Sequence, residues 1–309
     1  MTTPRTRRAA RAASLAACLL ALLPMPAAAQ ADNRTRLFKY LMGTSMQVEI
    51  IGGDTAVRQQ AADEAFAAIA EVDRLMSSYR PDSEIRQANI AASAGPVSLS
   101  APLFAVVAAG QRLAAASGGA FSLTPASRDN VLLMLDVPTR SLRLTTPVTV
   151  SVDGLAKGFA AELAAGSLSR RGLSGTIDTS GTQFMVGTPP GRTTWSIGIA
   201  HPLQRGSVLG AIDVAGGAVA TVSAAAAPRD PRTGQVATLS LSATVVSPDG
   251  AVADALSKAV FVLGPTDGLP LLATYPDTWG VVAYRGPNGS ISIAVSPAHT
   301  AAFHPRPSE

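Results

Sequence analysis

The chain has 309 residues, 47% of them hydrophobic, enough to bury a large core in one sizeable domain or two intimate ones. Its formal charge of +4 belongs to the first thirty residues, where Arg5, Arg7, Arg8 and Arg11 stand without an acid; the remainder is neutral, which removes the electrostatic support for a nucleic-acid partner. The sole cysteine, Cys18, lies in the same stretch, so beyond it neither a disulfide, a thiolate metal site nor a cysteine nucleophile is available.

Taken in chain order, MTTPRTRRAARAAS is basic, LAACLLALLP is an apolar run too short to span a bilayer, and MPAAAQ ends in small residues. Residues 1–30 therefore read as a cleaved secretory signal, and the expected location is the periplasm. LAAC, ending at Cys18, resembles a lipoprotein box and leaves membrane attachment as an alternative, although the apolar run continues past it. Arg7 and Arg8 leave twin-Arg export open beside general secretion. Nothing after residue 30 reads as a membrane span.

MQVEI alternates, with Met46, Val48 and Ile50 on one face of a strand. Phe66, Ile69, Val72 and Met76 then recur at helical spacing, with Asp54 as N-cap. SAPLFAVVAAGQRLAAAS predicts a second helix stopped by Gly118 and Gly119, and PVTVSVDG a strand with Val148, Val150 and Val152 on one face. AKGFAAELAAGSLSRR predicts a third helix. Strands follow at TWSIGIA and ATLSLSATVVS, then a helix over VADALSKAVFVLG and a hairpin turning at Asn288 and Gly289. Residues 31–298 read as the folded domain, and the Pro-rich tail 299–309 as disordered. Strands and helices are interspersed without regular alternation, which favours α+β over a doubly wound sheet.

The candidate chemistry lies in junctions. His201, His299 and His304 have no spacing that suggests a metal trio or a triad. What remains is a series of Gly- and Ser-rich segments: LMGTSM, SSYRPDSEI, SGGAFSLT, SVDGLAKGF, DTSGTQF, PRDPRTG and VADALSKAV. Singly, each reads as a turn or a tight packing contact. In this order they resemble the motifs of the ApbE family, the periplasmic FAD:protein FMN transferases, from about Tyr40 to Gly264.

That resemblance implies an ApbE-like fold of mixed and antiparallel sheets with packed helices. It also implies FAD as substrate, Mg2+ against the pyrophosphate, and transfer of FMN to a Thr or Ser of an acceptor protein, with AMP released. The acceptor would belong to an extracytoplasmic redox complex. Carried over by position, Met42 and Tyr79 contact the flavin, Ala120, Phe121 and Ser122 form the turn along the cofactor, and Ser151 and Lys157 lie at the phosphates. The Gly154 carbonyl and the Asp254 carboxylate fall on metal ligands, and Asp254 with Lys258 on the reacting centre.

The departures are as informative. Lys258 stands where the family carries a metal-binding Thr, Ser122 and Ser151 replace Asp, Ala227 replaces His, and a Gly pair is Gly181 with Thr182. Asp153, two residues from Ser151 on the same strand face, is positioned to restore a carboxylate, and Lys258 to supply a cation in place of the metal. FAD pyrophosphate hydrolysis and a catalytically degenerate flavin-holding protein are the alternative functions. Plainer readings stand beside each residue. An exposed Asp–Lys pair at i,i+4 contributes only about 0.3–0.5 kcal/mol to a helix. Met42 and Tyr79 could fill a core, Lys157 could be solvated, and Asp230 and Arg232 could only shape the DPRTG turn.

Overall fold

The computed structural model describes residues 33–124 and 133–306. The predicted signal segment 1–30 lies outside the described residues. From Arg34 onward the chain forms one folded unit.

Its centre is an eight-stranded sheet of β1 (Arg34–Leu41), β2 (Thr44–Ile51), β6 (Ser174–Asp178), β7 (Thr182–Val186), β10 (Gly217–Ser223), β11 (Ser242–Ser247), β12 (Trp279–Arg285) and β13 (Ile291–Val295), in that spatial order. Every neighbouring pair is antiparallel. The period-2 geometry of a strand sends alternate residues to opposite layers. Thus Val48, Ile50, Ile177, Val245 and Val282 pack toward the helices, whereas Ile51, Met185, Val219, Val246 and Val281 pack toward a small second sheet. All six residues of β11 are buried, as a strand covered on both faces requires.

Three helices cover the first face: α1 (Thr55–Met76), α4 (Ala156–Ser169) and α5 (Gly250–Leu272). Asp54 caps α1 by accepting from the Val57 amide at 2.8 Å, as the sequence predicts. α5 is broken at Gly264, whose φ of 73° precedes Pro265. The second face carries β8 (Trp195–Ala200), β9 (Val208–Val214) and β14 (Phe303–Pro305). A third sheet, β3 (Val97–Ser98), β5 (Ser141–Leu144) and β4 (Leu133–Asp136), accompanies α2 (Glu84–Ala91) and α3 (Ala101–Ala116). The architecture is α+β.

Three expectations need correction. PVTVSVDG joins no ladder, because the Asn89 side chain does a strand's work: its Oδ1 accepts from the Val150 amide and its Nδ2 donates to the Val150 carbonyl, both at 2.8 Å. Val150 and Val152 are buried all the same. Within ATLSLSATVVS only Ser242–Ser247 forms a strand; upstream, Ala237 donates to the Pro228 carbonyl. The tail is ordered as far as Arg306, as a 3-10 turn, Pro297–Ala302, followed by β14, which pairs with β9 and seats Phe303 against the second-face core.

Candidate functional site

The site begins where α4 and α5 cross. A Cβ at Gly158 would lie 1.9 Å from the Gly250 carbonyl oxygen, and one at Gly250 would lie 2.2 Å from the Gly158 oxygen. Only two glycines let the backbones approach this closely. The crossing brings the first turns of both helices together, and each caps the other. Gly158, the third residue of α4, donates its amide to Asp254 Oδ2 at 3.0 Å, while Gly250, the first residue of α5, donates to Glu162 Oε2 at 2.8 Å. Leu155, at the N-cap of α4, has no side chain able to accept, so a carboxylate from another helix takes that place.

Asp254 is 4% exposed, which rules out a surface pair with Lys258. The Lys258 ammonium bonds to Asp254 Oδ1 and, at 2.9 Å, to the Asp254 carbonyl oxygen. The lysine stem runs beside Gly154: its Cδ lies 3.7 Å from where a Cβ at that position would be, and Phe121 Cε2 lies 2.6 Å from the same point. Gly154 is therefore held between an aromatic ring and a lysine stem, with no room for a side chain. The segments around residues 154 and 254, a hundred residues apart in the chain, meet here.

Beside this junction opens a cleft of about 420 Å³ lined by Met42, Gly43, Asp73, Met76, Ser77, Tyr79, Asp153, Ala156 and Lys157. Met42 and Gly43 form the two-residue turn between β1 and β2, with φ of 50° and 75°. Tyr79 is 88% exposed and so is no part of the core. Asp153 reaches the cleft and accepts from Ser78 Oγ at 2.7 Å, and its own amide donates to Ser151 Oγ at 3.2 Å. The Ser151 amide donates to the Leu123 carbonyl at 2.7 Å, which ties this loop to the SGGAFSLT turn.

That turn divides. Ser122 lines a second cleft of about 470 Å³ together with Gly118, Gly119 and Thr124. Ala120 and Phe121, expected along the cofactor, are 2% and 4% exposed and belong to the core, Phe121 because its ring is seated on Gly154. Their side chains are not available to a ligand. The sequence placed Met76 on the apolar face of a helix and Ser77 at the head of SSYRPDSEI without marking them, or Asp73, as cleft wall, and Glu162, the lone acid inside an Ala-rich helix, gave no sign of its role as reciprocal cap.

Two of the carboxyls named above, Glu162 and Asp230, titrate away from the ordinary carboxylate range. Burial, opposed by the Gly250 amide and reinforced by the Asp249 charge, pushes the Glu162 carboxyl above the ordinary carboxylate range. Arg232, which bonds Asp230 through Nε at 2.9 Å and Nη2 at 2.8 Å, holds that carboxyl below it. The DPRTG turn is thus closed by its own ion pair.

The profile of the ApbE family matches residues 42–136 and 127–282. The chain belongs to the ApbE family. Among curated relatives, the FAD:protein FMN transferase of Klebsiella pneumoniae (strain 342) is 26% identical over 306 aligned positions, covering 82% of this chain and 87% of that protein. The FAD:protein FMN transferase of Treponema pallidum (strain Nichols) is also 26% identical, covering 79% and 84%. Among solved structures, the flavin transferase ApbE from Vibrio cholerae superimposes with a TM-score of 0.76 at 20% identity, covering 87% of this chain and 99% of that one, a likeness of fold.

The magnesium that the family resemblance implies does not fit the residues of this ApbE chain. Mg2+ demands an octahedron of oxygens at about 2.0–2.1 Å. Here Asp254 has one oxygen on an ammonium and the other on a backbone amide, and residue 258 contributes a donor rather than an oxygen. Among the described residues no group of three or more His, Cys, Asp or Glu is placed to hold a metal.

Proposed function

We propose that this ApbE-family chain transfers the FMN portion of FAD to a serine or threonine hydroxyl of an acceptor protein. The observation that carries this reading is the convergence of the 151–158 segment with the first turn of α5, beside a cleft that offers Met42, Tyr79 and Lys157. In the reaction the acceptor hydroxyl oxygen forms a bond to the FMN phosphorus, and the bond from that phosphorus to the bridging oxygen breaks. AMP leaves with the electron pair, and the hydroxyl proton is released. Such a displacement depends on positioning and on neutralising phosphate charge more than on covalent help from the protein. Met42 and Tyr79 present a thioether and a phenol ring to a flat aromatic ligand, and Lys157 presents a positive charge at the start of α4.

The basic, then apolar, then small-residue composition of residues 1–30 supports export of the chain, and the acceptor proposed is accordingly a protein of an extracytoplasmic redox complex. Among the described residues no helix is long and apolar enough to cross a membrane.

The test incubates protein recovered from the periplasm, expected by mass to lack residues 1–30, with FAD and a protein carrying the acceptor Thr. A fluorescent flavoprotein band that survives denaturation is the expected product. AMP without that band would mean hydrolysis, and FAD binding with neither product would mean a flavin-holding protein. Either outcome overturns the transfer.

A further inference from the structure

We propose that the Lys258 ammonium takes the place of a divalent cation, so that this chain holds the diphosphate of FAD without metal. The inference rests on the flavin reading above and deepens it. Lys258 approaches from one helical turn beyond Asp254 and bonds both its carboxylate and its carbonyl oxygen. Those are oxygens of the kind a hard cation would seek, and an ammonium is the cation found on them.

Three features make Lys258 more than an incidental partner of Asp254. First, its side chain is 27% exposed while that of Asp254 is 6% exposed, so the lysine keeps contact with solvent where the carboxylate does not. Second, the stem packs inward: its Cδ lies close to Gly154, where the Phe121 ring also sits. Third, an ammonium has three N–H groups, and the structure supplies acceptors within the protein for two of them. The remaining donor is the group that meets a phosphate oxygen.

The measurement is FAD affinity, read from quenching of flavin fluorescence on the wild-type chain in EDTA and again with excess Mg2+. The expected result is a change in Kd of less than about twofold between the two conditions. In a parallel titration with Mn2+ as a paramagnetic probe, wild type with FAD is expected to take up none. Lys258→Thr, which offers an oxygen in place of the ammonium, is expected to bind FAD at least about tenfold more weakly in EDTA, to regain affinity with Mg2+, and to take up one Mn2+ per chain. Lys258→Met keeps the apolar stem against Gly154 and is expected to lose affinity in both conditions, with its circular dichroism unchanged. Metal dependence of about tenfold in wild type, or Mn2+ uptake by it, would overturn the substitution while leaving the flavin reading intact. FAD binding unaffected by Lys258→Met would do the same. Absence of FAD binding by wild type in both conditions would overturn the flavin reading itself, and this inference with it.

Discussion

Met42 carries the clearest sign of a residue kept for something other than stability. It occupies the first position of the β1–β2 turn with φ 50°, followed by Gly43 at φ 75°, the combination that a two-residue hairpin favours Asn-Gly to fill. A methionine in the left-handed region costs roughly 1–2 kcal/mol. Met42 lines the cleft, so the strain sits at the place proposed to meet the flavin. Met42→Asn is expected to raise stability by about 1 kcal/mol in urea unfolding and to weaken FAD binding by up to about tenfold. Unchanged affinity would remove Met42 from the site. The turn itself was visible in LMGTSM. That both central residues have positive φ was not, because nothing in the local sequence declares the strain.

At the scale of elements, the crossing of α4 and α5 governs the site. α4 begins without a side-chain cap of its own and receives Asp254 from α5, while α5, capped by its own Asp249 on the Val252 amide at 2.9 Å, receives Glu162 on the Gly250 amide. Glu162 gives this arrangement a pH signature. Its carboxyl titrates above the ordinary range chiefly because it is buried, so the native state binds its proton more readily than the unfolded chain does. Stability therefore falls as pH rises from the unfolded carboxylate value through the raised folded one. Glu162→Gln keeps an oxygen for the Gly250 amide and cannot titrate. Its Tm relative to wild type is expected to increase as pH goes from about 4 to about 7. A difference independent of pH would show that this carboxyl is not desolvated by the crossing. The helices were legible from their apolar periodicity, but their mutual capping was not, since Gly158 and Gly250 lie far apart and either one alone reads as an ordinary small residue.

At the scale of the whole molecule, the large sheet separates two jobs. Its helix face carries the junction of Gly154, Gly158, Asp254 and Lys258, and its other face carries a core of Ile199, Ile212, Val214, Trp195 and Trp279 closed by β14. Phe303 pairs with Ile212, and the Arg306 amide donates to Leu209 at 2.9 Å. Truncation before Phe303 removes a half-buried ring and a strand edge. It is expected to cost about 1–2 kcal/mol in urea unfolding, on the scale of apolar burial, while FAD affinity stays unchanged because the sheet lies between. A parallel loss of flavin binding would show that the two faces are coupled. The tail looked disordered because HPRPSE is proline-rich and polar, and its partner strand lies about ninety residues upstream.

The sequence by itself determined the α+β class, the main helices with the Asp54 cap, the closing hairpin and the likeness to the ApbE family. These follow from periodicity, turn residues and ordered motifs, all of which are local or additive along the chain. Tertiary structure alone decided that Asp254 is a buried cap for another helix, that Phe121 faces Gly154 instead of a cleft, and that Asn89 replaces a strand beside Val150. Each of those depends on a contact between residues distant in sequence, whose energy comes from burial and from satisfying a particular amide or carboxylate. No pattern within one segment reports which partner the fold will bring to it.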